Sequence, residues 1–261
     1  MVSAMENIGR ISLDACRSVH ETLAFSHRVI KKIVDGKTYN SATRGVLLNQ
    51  IYFTAVQILP LFLAGSIVFG TLLIGVVFQI ITDLGLADYL GKILMGILVI
   101  ELAPLYTALL IALRSGAAIN AEIAVMKMNQ ELHALEVFNI DLTAYLFVPR
   151  IVNGVLSVSL LTSLFSVVVL VSGLVFSNLM FGMSFDAYAN VLLDSTELTD
   201  MVLSIVKAAA FGFFITLIPV RAGLNATREL TSIPVSVMNG MVNVFIAIIV
   251  IEVLSLIARL I

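Results

Sequence analysis

Five long apolar stretches dominate the chain, and short polar stretches separate them. Residues 45–82 and 151–185 contain no charged residue at all. A helix of about 20 apolar residues spans the hydrocarbon core of a bilayer. The pattern therefore predicts five transmembrane helices, placed at about 50–82, 93–113, 148–183, 201–220 and 233–258. The third stretch is long enough to contain a re-entrant element as well.

Residues 1–44 differ from the rest of the chain, because basic residues lie between apolar residues that recur at helical spacing. Seven lysines and arginines fall in this segment. One apolar stripe with basic flanks is typical of a helix lying in the membrane interface, where anionic headgroups attract the cations. We expect such an amphipathic interfacial helix, and a cytoplasmic helix that packs on a partner is the alternative. The segment lacks the apolar core of a cleavable signal peptide.

The basic residues also predict the orientation of the chain. With a cytoplasmic N-terminus, twelve of the fifteen lysines and arginines fall on the inner side. Short cytoplasmic loops of membrane proteins are enriched in these residues. We therefore predict an all-α integral membrane protein with a cytoplasmic N-terminus and a periplasmic C-terminus. Residues 1–44 form its interfacial helix and residues 45–261 its membrane domain, with a polar cytoplasmic segment at about 115–147.

The composition agrees with a membrane protein and excludes several other classes. Hydrophobic residues make up 60% of the 261 positions and charged residues only 12%, whereas soluble domains carry about 25%. A net charge of −2 gives no reason to expect a nucleic-acid partner. The single cysteine, Cys16, excludes an internal disulfide and a cysteine-based metal site.

No motif in the chain predicts catalysis, a metal or a bound cofactor. Gly85 and Gly91-Lys92 come nearest to a phosphate-binding loop, but their spacing is wrong and Ile93 follows the lysine. His20-Glu21 lacks the second histidine of a zinc-protease motif. We therefore predict that the chain is not an enzyme.

Three ionisable residues, Glu101, Lys207 and Glu252, interrupt the apolar stretches. Charges inside a membrane are costly, so such residues face the bundle interior or a wet cavity and often mark a substrate path. Lys207 and Glu252 fall at similar depth in the outer-leaflet half and could pair, for structural or functional reasons. Glu101 has no evident basic partner at its own depth, which favours a cavity-facing role. The three are candidate substrate-binding residues.

Residues 99–150 contain a specific set of short motifs in a fixed order. The matching residues are Glu101, Leu102 and Pro104, then Arg114 and Gly116, then Ala121, Glu122 and Met126, then Ala134 and Leu135, and finally Pro149 and Arg150. This block resembles the MlaE/YrbE permeases, the membrane subunits of MCE-type ABC lipid transporters. The resemblance extends over essentially the whole chain. It departs from the family pattern at Ile100, Ala103, Leu113 and 129–131.

The resemblance implies a homodimer in a bacterial inner membrane, bound to two ATPase subunits and to a ring of MCE-domain proteins, with a STAS-like protein as a further partner. Such permeases move phospholipids or related lipids between the inner membrane and the outer envelope. ATP and magnesium would bind the partner ATPase and not this chain. Glu101 would line the lipid cavity between the two copies. ATPase coupling would involve Glu122, Met126, Lys127, Glu131 and Leu135.

Two other functions remain open from the residues alone. An ion-coupled secondary transporter could use the three intramembrane charges as a relay, but such transporters often contain internal repeats, and none is evident. A non-transporting scaffold for envelope proteins would gain nothing from charges that are costly at this depth.

Overall fold

The computed structural model describes residues 21–35, 38, 41–86, 89–227 and 229–260. The interfacial helix expected over 1–44 therefore lies largely outside the described residues. The described part of the chain contains no strand. Five helices are long and apolar enough to cross a membrane, which confirms the predicted class and number of spans. They are Thr43–Asp83, Leu90–Met128, Thr143–Phe181, Leu198–Leu224 and Ser232–Arg259.

Shorter helical elements make up these spans and connect them. The first helix, α1, covers residues 21–34. The first span contains α2 (Ser41–Ile51) and α3 (Leu59–Asp83), and the second contains α4 (Leu90–Leu94), α5 (Ala103–Ile111) and α6 (Ala117–Met128). The third, fourth and fifth spans contain α8 (Val148–Phe181), α10 (Leu198–Leu224) and α11 (Ser232–Leu260). Two short helices connect spans: α7 (Glu131–Val137) precedes the third, and α9 (Phe185–Asp194) follows it. We call the end of the bundle that carries α1, α7 and the α10–α11 turn the basic end.

Wide π-helical turns precede three of the prolines. A proline removes one backbone donor and its ring crowds the carbonyl four residues earlier, so a wider turn accommodates it. The three turns are Tyr52–Val56 before Pro60, Met95–Leu102 before Pro104, and Thr143–Phe147 before Pro149. The second of these turns carries Glu101, so a proline in the sequence shapes the backbone on which this residue lies.

Helices α8 and α10 form the centre of the bundle, and two glycines let them cross closely. A Cβ atom added at Gly154 would lie 2.7 Å from the carbonyl oxygen of Gly212. Small residues permit such close packing of membrane helices. By contrast, the apolar parts of the first and fifth spans are only 28% and 17% buried. Their outer faces are therefore available to lipid or to a second protein.

The third span and the connection that follows it differ from what the sequence predicts. No re-entrant element occurs in the third span, because α8 is one continuous helix of 34 residues. The acidic connection that follows contains α9, which Ser184 caps by accepting a hydrogen bond from the Ala187 amide. Tyr188 of α9 is buried and donates to the Leu170 carbonyl oxygen over 3.4 Å. Burial raises the pKa of Tyr188 to about 12.

Candidate functional site

The three intramembrane charges meet in one cluster between the second, fourth and fifth spans. Lys207 donates hydrogen bonds to Glu101 and to Glu252, the latter over 2.9 Å. The Lys207 side chain is buried, and the two carboxylates retain 18% and 19% exposure. Opposite charges in contact offset part of the cost of removing each from water. The predicted proximity of Lys207 and Glu252 is confirmed.

The expectation that Glu101 has no basic partner is wrong, since Lys207 contacts it directly. The sequence places Glu101 near the middle of the second span and Lys207 in the outer half of the fourth, but this difference in depth is small. Glu101 follows Lys92 by nine residues, or about 14 Å of helix, so it lies in the half of the membrane nearer Lys92 and within reach of Lys207.

A fourth charge, which the sequence analysis missed, completes the cluster. Arg259 lies 3.6 Å from Oε1 of Glu101. It follows Glu252 by seven residues, or two helical turns, so both lie on one side of α11. Two cations thus face two carboxylates. We call Glu101, Lys207, Glu252 and Arg259 the charged cluster.

The charged cluster retains unused hydrogen-bonding capacity and lies near an open face of the single chain. Oε1 of Glu101 and Oε2 of Glu252 are buried, and neither has a hydrogen-bond partner among the described residues. Buried acceptors of this kind normally bind a donor or an ordered water. Ile97 and Leu256, each one turn from a carboxylate of the cluster, are 44% and 43% exposed. A donor on a bound molecule could approach from this side.

A second set of polar contacts fixes the helix α6 at the basic end. Arg150 of α8 is 1% exposed and donates to Oε1 of Glu122 over 2.6 Å. Lys127 donates to the Leu224 carbonyl oxygen at the end of α10 over 2.5 Å. Asn120 donates to the Ser236 carbonyl oxygen of α11 over 3.0 Å. Helix α6 is therefore anchored to three spans at once.

The residues predicted to couple to an ATPase fall into two groups. Glu122 and Lys127 make the anchoring contacts, and Met126 packs partly buried beside them. Glu131 is exposed at the start of α7, where Asn129 donates to it over 3.2 Å, and Leu135 is half-buried. Phe138 directly follows the last turn of α7 and is 77% exposed. Helices α6 and α7 thus form a well-anchored corner with an exposed apolar tip.

Helix α1 is attached to the basic end by ion pairs. Arg221 of α10 donates to Glu21 over 2.7 Å and also to Thr22. Lys32 lies 2.6 Å from Asp141, before the third span. The hydrogen bond from Lys32 holds the pKa of Asp141 below its usual range, and the same contact raises the pKa of Lys32.

Comparison with known proteins assigns this arrangement to a family. A model of the family described as Permease MlaE matches residues 47–258. A probable ABC transporter permease of Synechocystis is 32% identical over 164 residues, which are 63% of this chain and 62% of that protein. The intermembrane phospholipid transport system permease MlaE of Haemophilus influenzae is 28% identical over 66% of each chain.

A plant relative extends the comparison over more of the chain. The chloroplastic protein TRIGALACTOSYLDIACYLGLYCEROL 1 of Arabidopsis thaliana is 27% identical over 228 residues, which are 84% of this chain and 63% of that protein. The family model, which matches residues 47–258, covers all five spans apart from the first turn of the first span and the last residue of the fifth span. The chain is therefore a member of the MlaE permease family.

Proposed function

We propose that this chain is the permease subunit of an MCE-type ABC transporter. It moves phospholipids or related lipids between the inner membrane and the outer envelope of a bacterial cell, and a separate ATPase supplies the energy. The observation that carries the proposal is the charged cluster in the membrane domain of an MlaE-family permease, where Lys207 bonds both Glu101 and Glu252. The names of the Haemophilus and Arabidopsis relatives support a lipid substrate.

The chemistry of the charged cluster suits a zwitterionic or anionic headgroup. Lys207 and Arg259 can pair with a phosphate. Oε1 of Glu101 and Oε2 of Glu252, which accept no hydrogen bond from the described residues, can accept one from an ammonium or a hydroxyl. A bound headgroup would thus exchange ionic contacts within the charged cluster for contacts with its own charged groups. Because the formal charges balance without lipid, release leaves no unpaired charge behind.

A homodimer would enclose the charged cluster between two copies. Asn239 and Asn243 lie one turn apart on the exposed side of α11, and no described residue bonds their side chains. Amides that face hydrocarbon are costly, and asparagine commonly bonds across helices in membranes. A second copy packed along α11 would satisfy these amides. The same contact would turn the open face beside the cluster into a shared cavity.

The basic end is the proposed cytoplasmic face, since the basic residues concentrate there. The corner formed by α6 and α7 is the proposed contact with the ATPase, which would bind ATP and magnesium. Movement of this corner would pass to α8, α10 and α11 through the bonds of Glu122, Lys127 and Asn120. An MCE-domain protein would bind the opposite, periplasmic face, and a STAS-like protein is a further proposed partner.

Replacement of one carboxylate tests the role of the charged cluster in transport. In Glu101→Lys, three cations face one carboxylate, so we expect lipid transfer by the purified complex to fall to background while the complex still assembles. Glu229→Lys makes the same charge change on an exposed turn and should transfer lipid normally. Assembly is read by native mass spectrometry and transfer by a fluorescent lipid moving between vesicles. Normal transfer by assembled Glu101→Lys would remove Glu101 from the site.

A further inference from the structure

A polar cavity lies between the first and second spans, toward the basic end and away from the charged cluster. Its volume is about 380 Å³, within the range of small-ligand sites. Gln50 and Gln57 of the first span face Arg114 and Ser115 of the second across it, and Thr54 between them is buried and also accepts a hydrogen bond from Asn153 of the third span. Positions 50, 54 and 57 share one helix face by their spacing. A charge-free stretch of 38 residues thus carries a polar stripe directed at an arginine.

The polar cavity is rich in hydrogen-bond donors and has one surplus positive charge. The described residues place no carboxylate within salt-bridge distance of Arg114. The one carboxylate in the lining, Glu122, is bonded by Arg150, whose Nε and Nη1 lack partners among the described residues. Two guanidinium groups against one carboxylate leave one net positive charge. The amides of Gln50 and Gln57 add neutral donors.

The polar cavity lies at headgroup depth. Lys92 marks the polar boundary at the other end of the second span, and Arg114 follows it by 22 residues, or about 33 Å of helix. This separation is close to the thickness of a bilayer core, about 30 Å. Arg114 therefore lies at the boundary between hydrocarbon and headgroups at the basic end. It is about 20 Å along the helix from Glu101.

Phe53 of the first span lines the polar cavity and forms part of its rim. Phe53, Val56 and Leu61 are 58%, 46% and 66% exposed, so acyl chains can lie along this face beside the cavity. An anion held by Arg114 could therefore be attached to such chains. A phosphodiester carries one negative charge and several acceptor oxygens, which complements the surplus charge and the donors.

We propose that the polar cavity binds the phosphate group of a phospholipid in the leaflet at the basic end, with Arg114 as its principal ligand. The proposal rests on the proposed function for the identity of that leaflet, which is then the cytoplasmic one. The lipid is held before it reaches the charged cluster in the other half of the membrane. The permease thus has two separate headgroup sites along the second span.

Photocrosslinking from the rim tests this site in the assembled complex. Benzoylphenylalanine replaces Phe53, and the complex is placed in nanodiscs that contain equal amounts of phosphatidylglycerol and a neutral glycosyl diacylglycerol. We expect phospholipid adducts to exceed glycolipid adducts roughly tenfold, since charge-assisted hydrogen bonds favour the phosphate. In Arg114→Gln the two adducts should become equal. Arg44→Gln, which removes an exposed arginine outside the cavity, should keep the preference.

Three outcomes would overturn the proposal. One is an unchanged preference in assembled Arg114→Gln. The second applies if Arg114→Gln does not assemble. Gln57→Glu adds a negative charge at an exposed rim position and should abolish the preference for phospholipid, so a preference that survives this change would overturn the proposal. The third is loss of the preference in the unaltered cavity on addition of millimolar inorganic phosphate, which would indicate a site for free phosphate.

The same preparations separate this proposal from the proposed function. ATP-driven lipid transfer by the complex, combined with equal adducts in the unaltered cavity, would remove the polar cavity as a lipid site and leave the transport function standing. A strong phospholipid preference that depends on Arg114, in a complex that moves no lipid with ATP, would support the polar cavity as a lipid site and contradict the transport function.

Discussion

The charged cluster and the polar cavity hold ionisable groups in opposite ways. In the charged cluster, Lys207 and Arg259 face two carboxylates, and the formal charges balance. In the polar cavity, Arg114 has no acidic partner among the described residues, and one positive charge remains. The first arrangement is stable without a ligand, whereas the second attracts an anion. The difference suggests capture of a headgroup at one end and its transient exchange at the other.

Removing Lys207 should have the largest effect on stability, because it leaves the two adjacent carboxylates of the charged cluster with Arg259 as their one cation. We expect Lys207→Met to destabilise the chain by about 3–5 kcal/mol, the usual cost of leaving a buried charge without its partner. Thermal unfolding in detergent measures the loss. Lys207→Arg keeps the charge and should lose much less.

A double variant sharpens this first prediction. Lys207→Met with Glu252→Gln restores a balance of one carboxylate and one cation, so part of the lost stability should return. A double variant less stable than Lys207→Met would show that charge balance is not what stabilises the charged cluster.

Removing Glu122 should have a smaller effect on stability. Arg150 loses its anionic partner in Glu122→Gln, but the Glu122 side chain is 53% exposed, so water and the new amide compensate in part. We expect a loss of about 1–3 kcal/mol in the same unfolding measurement. The variant should also strengthen the phospholipid preference of the polar cavity, since its surplus charge rises. Glu131→Gln, exposed on the same corner, is the matched control.

The smallest effect is expected from the exposed pair of Lys32 and Asp141. The pKa of Asp141 lies below its ordinary value of 3.8, so the pair stabilises the chain above that pH and the contribution disappears as the pH falls through the lowered pKa. Asp141→Asn should therefore lower the unfolding midpoint slightly at neutral pH and should have no such effect at a pH below the lowered pKa of Asp141. An equal difference at both pH values would exclude titration of this pair as the cause.

Much of the fold follows from the sequence, because hydrocarbon imposes simple rules on length and charge. The five spans and the family could be predicted from apolar stretches and from the motifs at 99–150. The sequence pattern does not reveal helix α9, because acidic residues lie in its first and last turns, although Tyr188, Val191 and Leu192 recur at helical spacing in it. With 10 residues, α9 is also too short to be recognised as a membrane-spanning helix.

The contacts within the sites were harder to predict than the residues that make them. Glu101, Lys207 and Glu252 could be identified from their positions in apolar stretches, but their pairing depends on how the helices rotate and on the turn before Pro104. A single sequence does not specify that rotation. The polar cavity had a readable signal in the spacing of Gln50, Thr54 and Gln57, which gains meaning only when the second span is placed opposite.

The most direct test of the proposed function is ATP-dependent lipid transfer by the purified complex in proteoliposomes. Labelled phospholipid should leave the donor vesicles when ATP and magnesium are supplied, and transfer should stop when the ATPase subunit carries an inactive nucleotide site. Transfer that continues without any ATPase and follows an imposed pH gradient would contradict the account, and would instead favour an ion relay through Glu101, Lys207 and Glu252.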